Sequence, residues 1–258
     1  MVRLNDIIDL IEKKVPLGLA YPWDNSGFLC GDRNKEIKKI YITLDVNMYT
    51  VDEAVRVGAD MIVSHHPIMF GGIKRIDFDT PSGYVLMQLI KNDIALYAAH
   101  TSMDCANGGI NDVLAERLGI KDTEIIEKNE NFSAGGLGRI GTVERTTLKD
   151  FAETVKKALG APFVRVSGAA DTIVTRVAVG GGACDDLIPA ARAMGAEVIV
   201  TADMKYHITM DAVESGICVI DAGHYPTEVF VTEIFADILR DCGAELVIST
   251  EKDVFDII

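Results

Sequence analysis

The stretch ADMIVSHHPIMFGG, residues 59–72, is the part of the sequence from which the fold is best predicted. Residues 59–63 form a short apolar run between Gly58 and Pro67, which is typical of a buried strand. His65 and His66 therefore follow a strand end, where ligand sites gather in α/β sheets. Neutral imidazole is a common ligand of transition metals. An isolated pair of histidines at such a place is also often solvent-facing, so the pair alone does not establish a metal site.

Outward from this stretch, apolar runs alternate with segments of helical periodicity. Further strands are predicted at 40–44, 94–99, 137–142, 173–179 and 245–248, and helices at 1–14, 50–57, 84–90, 148–159 and 229–239. This alternation is typical of an α/β protein with largely parallel strands. The polar segment 121–136 is predicted to be a linker. We therefore expect two domains, 1–128 and 129–258, with the C-terminal part able to pack back on the first.

The second half of the sequence repeats the first. Lys39–Ser64 aligns without a gap on Arg176–Thr201. A histidine followed four residues later by a carboxylate also recurs, at His100–Asp104 and His224–Glu228. Chance is the alternative, because β-α-β units resemble one another in pattern. The length of the match favours duplication, and it predicts two related α/β domains with mostly parallel central sheets.

The composition excludes several classes of protein. The 258 residues are 48% apolar and 25% charged, as in a globular chain. No apolar run reaches membrane-span length, and the acidic residues within 1–14 indicate an amphipathic helix rather than a signal peptide. Five scattered cysteines without a CxxC pair suit a reducing, cytoplasmic location. A net charge of −14 disfavours broad binding to nucleic acid or membrane, but not a small anionic substrate held at bound cations.

All five histidines fall in four polar segments that follow predicted strands. These segments are 64–66, 100–104, 201–207 and 223–228. Imidazoles with carboxylates, and no thiolate partner, suit zinc, iron, manganese or a similar divalent ion. The candidate ligands are too many for one tetrahedral ion. Two ions that share a bridging carboxylate would use them better and leave open positions for water and substrate.

Three other features allow two interpretations each. Gly180–Gly182, between a strand and a helix, is either a phosphate cradle or a tight turn that needs positive φ. It lacks the Lys-Ser/Thr of a P-loop. Trp23–Gly27 is predicted to be a turn, with Trp23 in the core. Lys74 and Arg75 are predicted to be surface charges, although their place after the histidine pair allows contact with substrate anions.

Together these motifs resemble the dinuclear-metal-centre family named after an Ngg-interacting factor, whose members are also called GTP cyclohydrolase I type 2. The matching segments are Trp23–Gly27, Ser64–Phe70, His100–Asp104, Gly180–Gly182, Thr201–His207 and Gly223–Glu228. They run from near the N-terminus to the last quarter of the sequence, so the resemblance covers essentially the whole chain.

The resemblance implies two related α/β domains, a pair of metal ions in the cleft between them and a ring-shaped homohexamer. It implies that the metal ligands are His65, His66, Asp104, His224 and Glu228. His100 and His207 would then lie in or beside the site, as acid, base or groups that contact the ligands or the substrate.

Two functions follow, and the sequence leaves both open. The first is a metal-dependent hydrolase that acts on a nucleotide or a similar phosphorylated small molecule. The alternative is a non-enzymatic metal-binding or regulatory protein. For assembly into an oligomer, the sequence offers two apolar segments, Pro67–Phe70 and 254–258.

Overall fold

A computed structural model describes residues 2–71, 73–130 and 135–257 and divides the chain into two compact units. Unit 1 comprises Met1–Ala106 and Val231–Lys252, and unit 2 comprises Asn107–Phe230 and Asp253–Ile258. The division differs from the predicted boundary after residue 128, because Lys121–Lys128 is a strand that pairs within unit 2.

Strands and helices alternate along the chain. The elements up to residue 105 are β1 (Val2–Arg3), α1 (Leu4–Lys14), β2 (Gly27–Cys30), β3 (Glu36–Ile37), β4 (Lys39–Thr43), α2 (Met48–Val57), β5 (Met61–Ser64), α3 (Pro81–Lys91), β6 (Ala95–Ala98) and α4 (Thr101–Cys105). The elements of unit 2 are α5 (Ile110–Arg117), β7 (Lys121–Lys128), β8 (Gly136–Thr147), α6 (Leu148–Ala158), β9 (Arg165–Ser167), β10 (Ile173–Val179), α7 (Ile188–Ala193), β11 (Val198–Thr201), α8 (Tyr206–Glu214), β12 (Cys218–Asp221) and α9 (His224–Glu228). The chain then returns to unit 1 with α10 (Val231–Leu239) and β13 (Glu245–Ile248).

Unit 1 is built on a five-stranded sheet in the order β13-β4-β5-β6-β2. The pairs β13/β4, β4/β5 and β5/β6 are parallel, and only the edge strand β2 runs antiparallel to its neighbour. Every residue of β5 and β6 is buried, which explains why these segments are continuous apolar runs in the sequence. Because the strands are parallel, the residues that follow β5 and β6 emerge at the same edge of the sheet.

Unit 2 contains a six-stranded sheet in the order β7-β8-β10-β11-β12-β9. Only β10/β11 and β11/β12 are parallel pairs, whereas β7/β8, β8/β10 and β12/β9 are antiparallel. The prediction of a mostly parallel sheet is therefore wrong for this unit. Its parallel centre includes the segment 176–201 that was predicted to repeat 39–64, and other strands extend the sheet on both sides.

The predicted linker at 121–136 is also wrong over its first half. Lys121–Lys128 is the edge strand β7, which pairs antiparallel with β8. Along β7 only Ile126 is buried, so the sequence of this strand is as polar as that of a loop. Edge strands commonly carry charged residues for this reason. Residues 131–134 of the predicted linker lie outside the described residues.

A short turn positions the strand that carries the histidine pair. Asn47 caps the start of helix α2, where its side chain accepts a hydrogen bond from the Thr50 N–H at 3.0 Å, and Gly58 caps its end. Gly58 has φ +70°, a left-handed conformation that glycine adopts without a steric penalty. The chain can therefore reverse directly into β5. Within the described residues, no helix is long and apolar enough to span a membrane.

Candidate metal centre

In unit 1, three histidines converge beyond the ends of β5 and β6. His65 and His66 follow β5, and His100 precedes α4. The ring centroids lie 4.8 Å apart for His65 and His66, 5.2 Å for His65 and His100, and 5.5 Å for His66 and His100. One ring nitrogen from each of the three lies within 4.8 Å of the other two, close enough to hold a metal ion together. His65 is fully buried, whereas His66 and His100 are partly exposed.

Each of these rings is held through its Nδ1 atom. His65 Nδ1 lies 2.8 Å from the carbonyl oxygen of Ala99, which can only accept, so this nitrogen carries the proton. His66 Nδ1 lies 2.8 Å from Asp45 Oδ1, and His100 Nδ1 lies 2.9 Å from Asp24 Oδ1. A neutral ring that donates from Nδ1 presents the lone pair of Nε2. Metal-binding histidines are oriented in this way by a carbonyl or carboxylate behind the ring.

Asp104 brings a carboxylate to the same group. It lies on α4 with 6% of its surface exposed, and its Oδ1 is 3.7 Å from His65 Nε2. A buried carboxylate is costly unless a proton, a hydrogen-bond donor or a cation compensates its charge. The predicted ligands His65, His66 and Asp104 thus lie together in unit 1, with His100 as a further candidate.

The turn before β2 supports His100. Both carboxylate oxygens of Asp24 are engaged: Oδ1 with the His100 ring, and Oδ2 with the backbone N–H and hydroxyl of Thr101 and the hydroxyl of Ser26. Burial alone would raise the pKa of Asp24, but hydrogen bonds from His100, Ser26 and Thr101 outweigh it and hold this pKa well below its usual range. Asp24 is therefore a fixed negative charge behind the His100 ring.

In unit 2, His224 and Glu228 lie one helical turn apart on α9. His224 Nδ1 lies 2.7 Å from Asp203 Oδ2, so this ring is also held through Nδ1. Its Nε2 lies 2.9 Å from Glu228 Oε2, and Glu228 has only 3% of its surface exposed. A nitrogen lone pair and a carboxylate oxygen at this distance need a proton or a cation between them. The pair therefore fits a metal ligand set.

The Gly180–Gly182 turn makes room for Glu228 instead of forming a phosphate cradle. A Cβ at Gly182, which has φ +63°, would lie 2.2 Å from Glu228 Oε1. The backbone N–H groups of the three glycines already donate to the carbonyl oxygen of Val200, the side-chain oxygen of Asn111 and the hydroxyl of Thr227. These donors are engaged inside the protein, so the interpretation as a tight turn holds.

The other candidates lie at the surface. His207 is exposed on the first turn of α8, with its ring 5.3 Å from that of Tyr206. Among the described residues it belongs to no group of side chains close enough to share a metal ion. Lys74 and Arg75 are exposed, as predicted for surface charges.

Trp23 does not lie in the core, and that prediction is wrong. Its side chain is 61% exposed, whereas the side chain of its neighbour Asp24 is fully buried. Because the hydrogen bonds of Asp24 anchor the turn from inside, Trp23 points outward. Its ring stacks on Tyr21 and meets the edge of the His100 ring.

The sequence did not reveal the carboxylates that accept hydrogen bonds from the histidine rings. Asp24, Asp45 and Asp203 each accept from a histidine Nδ1. Asp24 and Asp203 lie in segments predicted to be a turn and a polar cluster, and neither prediction gives the carboxylate a role. Asp45 directly follows the strand predicted at 40–44, and this position was the available signal for it.

The donor set defines a class of protein. Four histidines are oriented through Nδ1, and the buried carboxylates of Asp104 and Glu228 accompany them, without a cysteine ligand. Imidazole and carboxylate donors fit divalent ions such as zinc, iron or manganese. The chain is thus an α/β protein whose His, Asp and Glu clusters could hold metal.

Comparison with known proteins identifies the family. The sequence matches the family Duf34/NIF3 (NGG1p interacting factor 3) over residues 2–253. It is 36% identical, over an alignment that covers all of both chains, to a GTP cyclohydrolase 1 type 2 homolog of Clostridium perfringens. The fold is similar to that of a Bacillus cereus protein related to NIF3, with a TM-score of 0.92, 28% identity and 99% of each chain covered. It is also similar to reduced HcgD from Methanocaldococcus jannaschii, with a TM-score of 0.81, 32% identity, and 95% and 97% of the two chains covered. The chain belongs to the Duf34/NIF3 family, which confirms the resemblance found in the sequence.

Proposed function

We propose that this protein binds two divalent metal ions and is a metal-dependent hydrolase that acts on a nucleotide or a similar phosphorylated small molecule. The observation that carries the proposal is the common orientation of His65, His66, His100 and His224. Each ring is held through Nδ1, which turns Nε2 toward the site as a metal ligand in His65, His66 and His224 and as an acid–base group in His100.

The proposed metal ligands are the five residues that the family resemblance implies. Unit 1 supplies His65, His66 and Asp104, and unit 2 supplies His224 and Glu228. Glu228 is the best candidate for a ligand shared by both ions, because it is buried, has two carboxylate oxygens and lies 2.9 Å from His224 Nε2. Bound divalent ions supply Lewis acidity and the activation of a water molecule for attack at neutral pH.

We assign the acid–base role to His100. Its ring lies against those of His65 and His66 but is not completely buried, so a substrate can reach it. Asp24 fixes the ring through Nδ1, so the proton moves at Nε2. His207 is the weaker candidate, because it is exposed on α8 and contacts Tyr206.

Elemental analysis and an activity panel test the two parts of the proposal. After reconstitution, we expect about two divalent ions per chain, as in other two-metal sites. Absence of stoichiometric metal would contradict the metal centre.

The metal-loaded protein is then incubated with GTP, other nucleotides and phosphoesters, and the His66→Ala variant is tested in parallel. GTP is included because curated relatives carry the name GTP cyclohydrolase 1 type 2 homolog. Turnover that depends on His66 would support the enzyme. Metal binding without turnover would instead favour a metal-binding or regulatory protein.

We further propose that the chains assemble into a closed ring, as the family resemblance implies for a hexamer. Val254, Phe255 and Ile257 are 86%, 71% and 54% exposed, an apolar surface that is costly to leave in water. With a net charge of −14, stable association requires a specific apolar contact of this kind. Light scattering should report several chains per particle, and a monomer mass with metal bound would refute the assembly. A cytoplasmic location stays a prediction from the sequence.

Finally, we infer that the two units arose by duplication. Corresponding hydrogen bonds support this inference. The Asp60 carboxylate accepts from the N–H groups of Lys38 and Lys39, at 2.8 and 3.0 Å. At the aligned positions, the Glu197 carboxylate accepts from the N–H groups of Thr175 and Arg176, at 2.5 and 2.9 Å.

A further inference from the structure

Two large exposed aromatic side chains contact the His100 ring. Trp23 is 61% exposed and Phe70 is 56% exposed. Both meet the His100 ring edge-on, with centroids 6.1 and 5.5 Å away. Exposed aromatic side chains grouped beside polar side chains are typical of places that contact a ligand or a partner.

The two aromatic rings are held in place by the protein. Tyr21 stacks on Trp23 with centroids 6.0 Å apart and planes 17° apart, and its backbone N–H donates to Thr101 Oγ1 at 3.0 Å. Asn25 Nδ2 donates to the carbonyl oxygen of Met69 at 2.7 Å, which joins the Trp23 turn to the loop that carries Phe70. Surfaces that are ordered before binding lose little entropy when a ligand arrives.

The chemistry of this surface favours a flat, aromatic ligand. Rings of Trp and Phe bind the π-face of a nucleobase or a similar ring, and such stacking depends little on which base is bound. The carboxylate of Asp24, which follows Trp23 in the sequence, is already engaged with His100, Thr101 and Ser26. Nothing in this set favours a sugar or a phosphate.

We propose that Trp23 and Phe70 form a ring-binding subsite that holds the planar heteroaromatic ring of a phosphorylated substrate beside His100. This inference rests on the proposed function, since it takes the histidine end of unit 1 as the place where substrate binds. The subsite explains why the only Trp of the chain is outside the core. It also separates recognition of the ring, by these two side chains, from recognition of phosphate.

The sole tryptophan makes the inference directly testable. Metal-loaded protein is titrated with GTP and, separately, with tripolyphosphate, which carries phosphates but no ring. We expect a saturable change in Trp23 fluorescence with GTP and none with tripolyphosphate. By equilibrium dialysis, Trp23→Leu and Phe70→Leu should each weaken GTP binding by about tenfold, within the range known for loss of one stacking partner. Binding of tripolyphosphate and the metal content should not change.

Phe78→Leu is the matched control. Phe78 is 60% exposed, as much as Phe70, but among the described residues it makes no ring contact with His100. This variant should bind GTP as the parent protein does. Equal GTP affinity in the parent, Trp23→Leu and Phe70→Leu proteins would overturn the subsite. The subsite would also be overturned if neither purine nor pyrimidine nucleotides showed binding that depends on the ring. A change in Trp23 fluorescence that depends only on protein concentration would overturn it as well, because a second copy of the chain would then cover Trp23.

Failure of the subsite can be told apart from failure of the proposed function. Turnover of GTP that is unaffected in Trp23→Leu and Phe70→Leu would remove the subsite and leave the hydrolase standing. Ring-dependent binding without turnover of any substrate would support the subsite and count against the hydrolase.

Discussion

Each unit contains three neighbouring parallel strands, but the candidate ligands are placed differently on this scaffold. In unit 1 the histidine pair directly follows β5, whereas the residues after the aligned strand β11 are Ala202 and Asp203. Unit 2 instead carries His224 and Glu228 on the helix after β12. In unit 1 the corresponding helix, α4, begins one residue after His100, so the recurring histidine–carboxylate spacing does not occupy the same helical positions.

This difference shows what the scaffold determines and what it leaves free. Parallel strands deliver polar residues to one edge of a sheet in each unit, and the side chains that occupy this edge vary. At the position aligned with Asp45, which supports His66, unit 2 has Gly182, which makes room for Glu228. Unit 1 is thus rich in histidines with supporting carboxylates, and unit 2 combines one histidine with a carboxylate and a glycine turn.

The largest effect is expected from removing one ligand in each unit. His65→Ala and Glu228→Gln should each lower the metal content from about two ions per chain to about one or fewer, since two-metal sites depend on shared ligands. Elemental analysis after dialysis measures this. His207→Ala is the control and should keep both ions. Full metal content in Glu228→Gln would contradict the role of Glu228 as a metal ligand.

A second prediction concerns the glycine turn. Gly182→Ala should displace Glu228, because the new Cβ would lie 2.2 Å from Glu228 Oε1. Gly216→Ala is the control: Gly216 has φ +95° but no heavy atom within 4 Å of its added Cβ. Both variants should lose about 1 kcal/mol of stability from backbone strain. Only Gly182→Ala should also lose metal, and equal metal content in the two variants would contradict the role given to this glycine.

Smaller effects are expected from the carboxylates behind the rings. Asp45→Asn and Asp203→Asn remove a charge that orients His66 in unit 1 and His224 in unit 2. Each should weaken metal binding by about tenfold, at the lower end of the range for such partners. Competition with a metal chelator measures the affinity, and the exposed Asp241→Asn serves as control. Weaker metal binding in only one of the two variants would show that only one unit depends on the carboxylate that orients its histidine.

The smallest effect concerns the scaffold that the units share. Burial acts to raise the pKa of Glu197, but hydrogen bonds from Arg176 and Thr175 outweigh it and lower this pKa below its usual value of 4.5. A carboxyl group with a lowered pKa stabilises the fold above its unfolded pKa, and this contribution disappears as the pH falls through the folded value. Glu197→Gln should therefore cost about 1 kcal/mol at pH 7, and the difference from the parent should disappear in acid.

Urea denaturation of the metal-free protein at several pH values measures this difference. The exposed Glu153→Gln on α6 should be neutral throughout. Asp60→Asn, at the aligned position of unit 1, should also destabilise the fold at pH 7, because it weakens the hydrogen bonds from Lys38 and Lys39. If Glu197→Gln lost the same unfolding free energy at every pH, the stabilisation by Glu197 would not come from its ionised carboxylate.

Much of the fold could be predicted because burial leaves a clear pattern in the sequence. Strands such as Met61–Ser64 are buried on both faces and appear as apolar runs, and α6 buries one stripe of its surface. Lys121–Lys128 could not be recognised, because an edge strand with one buried residue has the composition of a loop. The two short strands Gly27–Cys30 and Arg165–Ser167 depend on antiparallel partners that are distant in sequence.

The candidate ligands could be found for a different reason. Histidine is rare in this chain, so its concentration after strands was visible without a structure. The supporting residues could not be found in this way. Asp24 and Asp45 are two among many carboxylates, and only the folded chain shows that one lies behind His100 and the other behind His66. His65 is held by the backbone carbonyl oxygen of Ala99, and because every residue has this group, no sequence pattern can indicate the contact.

The late return of the chain to unit 1 has a consequence for synthesis on the ribosome. The strands of unit 2 all lie between residues 121 and 221, so its sheet can close as soon as that stretch has emerged. The sheet of unit 1 stays incomplete until β13 arrives to pair with β4. A nascent chain that stops after residue 230 would already contain His65, His66, Asp104, His224 and Glu228. It would nevertheless present β4 as an open edge, available to the wrong partner.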